Sequence, residues 1–283
     1  MEMNDDDDDS WREMSVEVAR RAVETRRYED AVYAMRSVVE LNVKFLTDEE
    51  RNLLIVGYKN MIASGRALRR ALLSIEQKEK SVGNEENVQV IETYIQRVET
   101  YIDSICCEAK LIIEDYVLPP KHSEYTFEGL VIYYRMLGDS SRYRAEIHTG
   151  GLKKKLAKEA LLAYELGELH AQELCVANPI RLGLILNLSV FYYEISSTPE
   201  CGRDIALMTY DSAMLKIERS KEELGLSKEE LEESTRILKI MDTNLYLAAE
   251  RFAKFDAIFV ERIARIEAGC DDRKVEWKDT LDT

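Results

Sequence analysis

Apolar residues recur at helical spacing toward the end of the chain, where they form one continuous stripe between polar positions. The stripe occupies positions i, i+3, i+7, i+11 and i+14: Phe252, Phe255, Phe259, Ile263 and Ile266. This spacing predicts a last helix that continues to about residue 268. Two interpretations of the stripe stay open: a helix face packed on its neighbour, or an extra contact surface for a partner or a second subunit.

Start and stop signals divide the rest of the chain into helices. Capping boxes at 47–50 and 227–230 mark two starts, and Asn178 followed by Pro179 marks a third. Glycine or proline marks three stops: 83–84, 119–120 and 150–151. The signals predict nine helices, at 11–26, 28–45, 47–81, 85–118, 123–148 and 152–175, with three more that begin at 179, 199 and 227. Because the intervening loops are short, neighbouring helices should pack antiparallel.

The composition agrees with an all-α fold. The 283 residues include only 4 Pro and 12 Gly, and no Pro precedes position 119. Both residue types are scarcer here than in average proteins, which is typical of a chain that is mostly helical. No fixed-period repeat is present, which argues against a regular helical-repeat array.

Polar segments at both ends predict tails around one domain. Residues 1–10 hold six acidic side chains and no basic one, so like-charge repulsion predicts a disordered acidic tail. Residues 269–283 are polar and are expected to form a flexible tail. Between them we expect a single helical domain at 11–268.

The charge and the cysteines bound the partners and the compartment. The formal net charge is −15, which disfavours nucleic acid because its phosphates attract basic surfaces. No apolar run reaches the roughly 18 residues that a membrane span needs. The N-terminus lacks the features of a signal peptide, and the five cysteines show no metal-ligand spacing. We therefore expect a cytoplasmic protein with reduced thiols, no metal and no membrane partner.

Side chains suited to catalysis are sparse. The three histidines are scattered, and no glycine-rich phosphate loop is present. His170 and Glu173 lie one helical turn apart, where a surface pair is the favoured interpretation. We predict no enzyme activity and no cofactor.

Cations at helical spacing are more informative. Lys59, Arg66 and Arg70 share one face of the third helix, and Arg135 and Arg142 share a face of the fifth. Solvated helix surface is one interpretation of both stripes. The other is a local anion site, because an arginine fork matches two phosphate oxygens and the neighbouring Tyr143 offers a hydroxyl donor.

Two asparagines on apolar helix faces have two interpretations. Asn187 shares a face with Val190 and Glu194, and Asn244 shares one with Ile240 and Leu247. Each could be a hydrogen-bonded core amide. Alternatively, both could hold the backbone of an extended peptide, because one amide gives a donor and an acceptor.

Several of these segments resemble the 14-3-3 family in the same order along the chain. The blocks that carry the resemblance are 51–60, 74–78, 134–143, 178–184 and 186–195. The match as a whole spans roughly 11–247, and several blocks in the right order are far more specific than any single motif. The resemblance implies a nine-helix cup that dimerises and binds phosphoserine or phosphothreonine peptides.

The resemblance also implies roles for individual residues. The phosphate pocket would comprise Lys59, Arg66, Arg142 and Tyr143, with positive charge added by Arg70 and Arg135. The peptide backbone would be held by Asn187 and Asn244, with Glu194 nearby. An apolar groove wall would comprise Leu186, Val190, Ile240 and Leu247. The dimer interface would include Arg27, Asp30 and Arg97.

The chain departs from the family pattern at four places. Ala248 replaces a Trp in the closing signature of the last helix, and Asp242 replaces a basic residue. Leu68 and Arg69 replace a Ser and a Trp, so phosphorylation at that Ser is not expected here. Tyr101 stands where many members have a Glu at the dimer face, which makes dimerisation less certain.

Two functional hypotheses follow. The first is an adaptor that clamps or masks phosphorylated client proteins as a homo- or heterodimer. The alternative is a divergent helical scaffold that has lost phosphopeptide binding and recruits partners through its last helix. A smaller hypothesis is that Thr280 or Thr283, once phosphorylated, occupies the groove.

Overall fold

The helices of the protein follow its capping signals closely. The computed structural model describes residues 5–41, 46–118, 126–196, 198–219 and 224–267, with the side chains of 5–8, 116 and 248–267 excepted. Nine α-helices and no strand occur in the described part: α1 Asp5–Glu24, α2 Tyr28–Glu40, α3 Asp48–Ser81, α4 Glu85–Ile112, α5 Phe127–Ile147, α6 Gly150–Ala171, α7 Pro179–Glu194, α8 Pro199–Arg219 and α9 Lys228–Glu267. A π-helical turn, Ile113–Val117, continues α4. The all-α prediction is confirmed.

Side-chain caps fix the starts of the helices that carry the site. The Thr47 hydroxyl accepts from the Glu50 amide at 3.3 Å, and the Glu50 carboxylate accepts from the Thr47 amide at 2.7 Å. Asn178 Oδ1 accepts from the amide of Ile180 at 2.8 Å. These bonds satisfy N–H groups that a helix end leaves without partners. The predicted starts of α3 and α7 are confirmed, and the second capping box likewise precedes α9.

Two predicted boundaries are wrong. Helix α1 begins at Asp5 rather than 11, so residues 5–10 of the predicted tail are helical. Aspartates in a first turn interact favourably with the helix dipole, and this effect opposes their mutual repulsion. Helix α6 begins at Gly150 rather than 152, because the chain breaks at His148 and Thr149, which are extended, and Gly150 takes a φ of +62°.

Further differences are smaller or fall on undescribed residues. Helix α5 begins at Phe127 behind a Thr126 cap, and α6 ends at Ala171 rather than 175. Residues 1–4, 42–45, 123–125 and 268–283 of the predicted tails and helices lie outside the described residues.

Consecutive helices pack in pairs around three apolar clusters. The largest cluster joins α1 to α5 and includes Met35, Leu54 and Ile102. A second lies among α7, α8 and α9, and a third joins α5, α6 and α7 through Tyr164 and Leu184. These clusters hold α3, α5, α7 and α9 around a common groove, and the described part of the chain thus matches the predicted architecture.

Helix α9 is the longest element of the described chain. Its 40 residues correspond to a length of about 60 Å. The backbone is helical to Glu267, as predicted, whereas the stripe from Phe252 to Ile266 lies outside the described side chains. No described helix is long and apolar enough to cross a membrane.

Candidate functional site

The two basic stripes meet at one cavity. Its volume is about 280 Å³, and α3, α5, α7 and α9 line it. The lining includes six of the residues predicted for the site: Lys59, Arg66, Arg135, Tyr143, Leu186 and Asn187. The fold therefore brings together side chains that are more than a hundred positions apart in sequence.

Arg66 is held in a fixed orientation. Its Nη2 donates to both carboxylate oxygens of Glu146 at 2.9 Å. Its guanidinium carbon lies 3.9 Å from the centre of the Tyr143 ring. A cation over an aromatic face is stabilised by the ring quadrupole, so contacts on two sides position the guanidinium before any ligand binds.

Arg142 is buried behind Arg66 and shares its acidic partner. Only 4% of its side chain is exposed. Its Nη1 donates to Glu146 at 3.0 Å and to Glu194 at 3.3 Å. One carboxylate, Glu146, thus bridges the two guanidinium groups and offsets their mutual repulsion.

Arg142 remains charged despite its burial. Burial alone would lower its pKa, but Tyr164, Tyr143 and the acids Asp139 and Glu146 outweigh that effect and raise the pKa well above the ordinary value. The site therefore holds a permanent buried cation.

Tyr143 keeps its proton at neutral pH. Burial and, to a smaller extent, Asp139 raise its pKa to about 12 against the opposing effect of Arg142. The ring lies between the two guanidinium groups, 3.9 Å from that of Arg66 and 4.4 Å from that of Arg142. Its hydroxyl can therefore donate a hydrogen bond to an anion.

Glu194 is the acid with the weakest attachment to the site. It reaches Arg142 at 3.3 Å, and half of its side chain is exposed. Burial of the other half and the charge of Glu146 raise its pKa, and Arg142 opposes this rise. An incoming anion competes more easily with this carboxylate than with Glu146.

Lys59 and Arg135 complete the positive side of the cavity. Lys59 is exposed and forms no ion pair with any described residue. Arg135 lies against Gly183, where a Cβ would collide with the guanidinium group. Glycine at this position therefore leaves room for the cation.

Asn187 is oriented by Asp139. Its Nδ2 donates to the two Asp139 oxygens at 2.9 and 2.8 Å. Tyr164 donates to the same carboxylate at 2.5 Å, and Arg142 lies 3.5 Å from it. Asp139 thus connects the amide to the arginine cluster.

A neighbouring cavity contains most of the remaining predicted groove residues. It has a volume of about 250 Å³ and lies among α7, α8 and α9. Val190, Glu194, Asn244 and Leu247 line it. Ile240, predicted for the same wall, is exposed and lines neither this cavity nor the first.

Of the predicted dimer residues, Arg27 and Arg97 are exposed and the side chain of Asp30 is about half exposed. Arg27 pairs with Asp30 at 2.5 Å within the chain. Arg97 lies 5.6 Å from the Tyr94 ring, and the Tyr101 hydroxyl donates to Glu29 at 2.9 Å. These contacts leave the three predicted interface side chains accessible.

Sequence reasoning missed three members of the site: Asp139, Glu146 and Tyr164. Two of them carry a signal, because Asp139 precedes Arg142 by three positions and Glu146 follows it by four, which is the spacing of helical ion pairs. Tyr164 lies on α6, and no local pattern indicates its contact with Arg142.

The arrangement suits a binding site for a strongly charged anion. Two guanidinium groups, a tyrosine hydroxyl and a lysine lie around one cavity. Among the residues that the structure describes, no group of His, Cys, Asp or Glu is placed to hold a metal ion. The described site therefore offers charge and hydrogen bonds to a ligand.

Comparisons with known proteins agree with the resemblance. A family model described as "14-3-3 protein" matches residues 18–248. The "14-3-3 protein 7" of Solanum lycopersicum is 43% identical over 237 residues, which cover 83% of this chain and 90% of that protein. The "14-3-3-like protein C" of Glycine max is 42% identical over 83% of this chain and 88% of its own length. By these matches and by its helical fold, the chain belongs to the 14-3-3 family.

Proposed function

We propose that this protein is an adaptor that binds phosphoserine and phosphothreonine peptides of client proteins. One observation carries the proposal: Arg66 and Tyr143 line a cavity, Glu146 ties Arg66 to the buried Arg142 beside it, and the outer cation of the cavity, Lys59, forms no ion pair with a described residue. Family membership supports a phosphopeptide-binding adaptor rather than an enzyme in general terms.

The charge balance of the site favours a phosphate over a carboxylate. A phosphoserine carries about 1.5 to 2 negative charges at neutral pH, whereas Glu194 carries one. The phosphate therefore displaces the Glu194 carboxylate from its 3.3 Å contact with Arg142. Arg66 and Arg142 stay aligned because Glu146 continues to hold both.

The peptide on either side of the phosphate lies along α7 and α9. Asn187 and Asn244 bond its backbone, and Asp139 keeps the Asn187 amide in place. Leu186, Val190 and Leu247 form the apolar wall against which its side chains pack. Binding involves no covalent step, so the protein acts by clamping or masking the segment that it holds.

The proposal is tested by fluorescence titration of a labelled phosphoserine peptide and its unphosphorylated twin. The phosphorylated form should bind at least about tenfold more tightly, because charge-assisted hydrogen bonds are the strong ones. Arg66→Gln should remove most of that difference, and Lys155→Gln, a charge change outside the cavity, should not. Equal affinity for the two peptides would contradict the proposal.

We further propose that the protein forms a homo- or heterodimer through the face that carries Arg27, Asp30 and Arg97. Their exposure in the single chain supports this. Sedimentation equilibrium of the wild type and of Arg97→Glu tests the proposal. A monomer at all concentrations, without a related partner chain, would contradict a homodimer.

A second function keeps support from one observation. Helix α9 continues to Glu267, past residue 248 where the family model ends. A scaffold that recruits partners through this segment would keep its partners when the phosphate pocket is mutated. Two variants separate the two functions: the deletion of 252–283 and Arg66→Gln. Partner recovery and peptide affinity are measured for each.

A further inference from the structure

A third cavity lies on the other side of the Arg66–Tyr143 contact. Its volume is about 360 Å³, and its lining comes from α3, α4, α5, α6 and α7 and from the residue after α7. Arg66 and Tyr143 belong to this cavity and to the phosphate cavity described above. The other lining residues are three cations, Arg69, Arg70 and Lys153, two acids, Glu146 and Glu194, and three isoleucines.

The acids in this wall are already bound. Glu146 accepts from Arg66 at 2.9 Å and from Arg142 at 3.0 Å. Glu194 accepts from Arg142 at 3.3 Å. Both acids of the lining are therefore paired with the phosphate-site arginines. In the described chain, neither acid forms an ion pair with the other cations of the lining.

Those other cations are only partly neutralised. Arg70 and Lys153 form no ion pair with a residue that the structure describes. Arg69 Nε donates to Glu99 on α4 at 2.7 Å. The described ion pairs therefore neutralise only one of the three cations. The Arg69 side chain is 23% exposed and is thus fixed by Glu99 at the edge of the cavity.

The backbone of α3 is also arranged to hold Arg69 there. Gly65 lies one turn before it, and a Cβ at this glycine would come within 2.9 Å of Ile102 Cγ1 on α4. The absence of a side chain allows α3 and α4 to approach closely. That approach places Arg69 within hydrogen-bond distance of Glu99.

We propose that Arg69, Arg70 and Lys153 form a second anion subsite, which takes a further anionic group of the same client segment. The ligand is a second phosphate or an acidic side chain adjacent to the bound phosphoresidue. This inference rests on the proposed function, because the shared Arg66 and Tyr143 place the neighbours of a bound phosphoresidue next to the third cavity. The protein thereby selects clients that are multiply phosphorylated or acidic on one flank.

The experiment compares five labelled peptides. One carries a single phosphoserine with neutral flanks; two carry Glu residues before or after it, and two carry a second phosphoserine before or after it. Each is titrated against the wild type, against Arg70→Gln/Lys153→Gln, and against Lys154→Gln/Lys155→Gln. The last variant changes the charge equally on α6, outside the cavity lining.

An anion on one flank should tighten binding to the wild type by about three- to tenfold, because partly exposed ion pairs contribute modestly. Arg70→Gln/Lys153→Gln should remove this gain, which is measured within each variant as the ratio of its affinities for the flanked and the neutral-flank phosphopeptide; the control variant should keep the gain. Tighter binding with a second phosphoserine but not with Glu residues would identify a subsite for phosphate. Tighter binding with either group would identify a general anion subsite.

Two results overturn the inference. One is that an anion tightens binding on neither flank. The other is that the tightening survives in Arg70→Gln/Lys153→Gln. In either case a neutral-flank phosphopeptide that still binds more tightly than its unphosphorylated twin leaves the proposed function intact. If that peptide fails to bind, the proposed function fails separately.

Discussion

The protein contains two clusters of arginine and glutamate that share their chemistry and differ in saturation. At the start of α3, Arg12 meets Glu50 through two bonds of 2.6 and 2.7 Å. The same carboxylate accepts from the Thr47 amide, and 5% of its side chain is exposed. Three bonds thus hold this carboxylate inside the chain, and little of it is open to an outside partner.

The groove cluster is the opposite case. Arg66 and Arg142 share Glu146, and their second acid, Glu194, is half exposed. Lys59 adds a charge that no described acid neutralises. A saturated ion pair stabilises a fold, whereas a cluster with an unpaired lysine and a half-exposed acid, held rigid by one shared acid, is suited to an external anion.

The largest effect should come from breaking the saturated pair. Glu50→Gln leaves the buried Arg12 contact without its charge partner and weakens the cap of α3, so the free energy of unfolding should fall by about 3 kcal/mol. Urea denaturation measures this. Glu49→Gln, its exposed neighbour, should cost less than about 0.5 kcal/mol.

Phosphopeptide affinity of folded Glu50→Gln should stay unchanged. A loss of affinity as large as the loss of stability would show that the two clusters are coupled, and the contrast between them would be wrong.

The next largest effect should come from removing the charge of the unpaired Lys59. Lys59→Gln removes a cation that binds no described acid, so phosphopeptide affinity should fall by about tenfold with no change in the melting temperature. Isothermal titration measures the phosphopeptide affinity, and thermal denaturation measures the melting temperature. Lys78→Gln, an exposed lysine on the same helix, is the matched control and should leave both unchanged. A large loss of stability in Lys59→Gln would mean that this lysine belongs to a structural pair.

A smaller effect is expected from the acid that orients Asn187. Asp139→Asn keeps the shape but weakens the bonds from Asn187 and Tyr164, which are 2.5 to 2.9 Å long. Peptide affinity should fall by about threefold to tenfold, because an uncharged acceptor holds the amide less firmly. Titration with the phosphopeptide checks this, and an unchanged affinity would show that Asn187 needs no such support.

The smallest effect concerns a third acid, Asp103, and its pH dependence. It accepts from Arg144 Nε at 2.8 Å and lies 2.8 Å from His148 Nε2. Burial alone would raise its pKa, but these bonds outweigh burial and lower the pKa below its ordinary value. A lowered pKa contributes stability above the unfolded value of about 3.9, and the contribution disappears as the pH falls through the folded value.

Asp103→Asn should therefore lower the free energy of unfolding by about 1 kcal/mol at pH 7 and by less at pH 3. Urea denaturation at the two pH values measures the difference. The same loss at both values would indicate a defect of packing rather than of charge.

Most of the fold and half of the site could be predicted from the sequence. The predictable part depends on local signals, and the rest depends on contacts between helices. Local signals such as the Thr47 and Asn178 caps act within four residues and were read correctly. The start of α1 at Asp5 is not predicted, because a run of like charges is typical of a disordered tail. Basic stripes were visible as a helical period on α3 and α5.

The partners of those stripes were harder to read. Glu146 has a spacing signal, but nothing in the sequence says that it bridges Arg66 and Arg142 on different helices. Tyr164 and Lys153 reach the cavities only through the packing of α6 on α5 and α7. Contacts between helices depend on tertiary geometry, which hydrophobic period and capping do not encode.

The protonation states in the groove have a consequence for regulation. Arg142 has a pKa well above its ordinary value, and Tyr143 has a pKa of about 12, so both hold their protons throughout the pH range of living cells. The phosphate monoester of a client titrates near pH 6. Arg142 and Tyr143 therefore keep one protonation state, and under the proposed function a pH response of their contact with phosphate originates in the client phosphate or in Glu194, whose pKa is raised. Under the proposed function, the arginine and tyrosine of the site are always ready to bind, and timing is set by the kinases and phosphatases that act on the client.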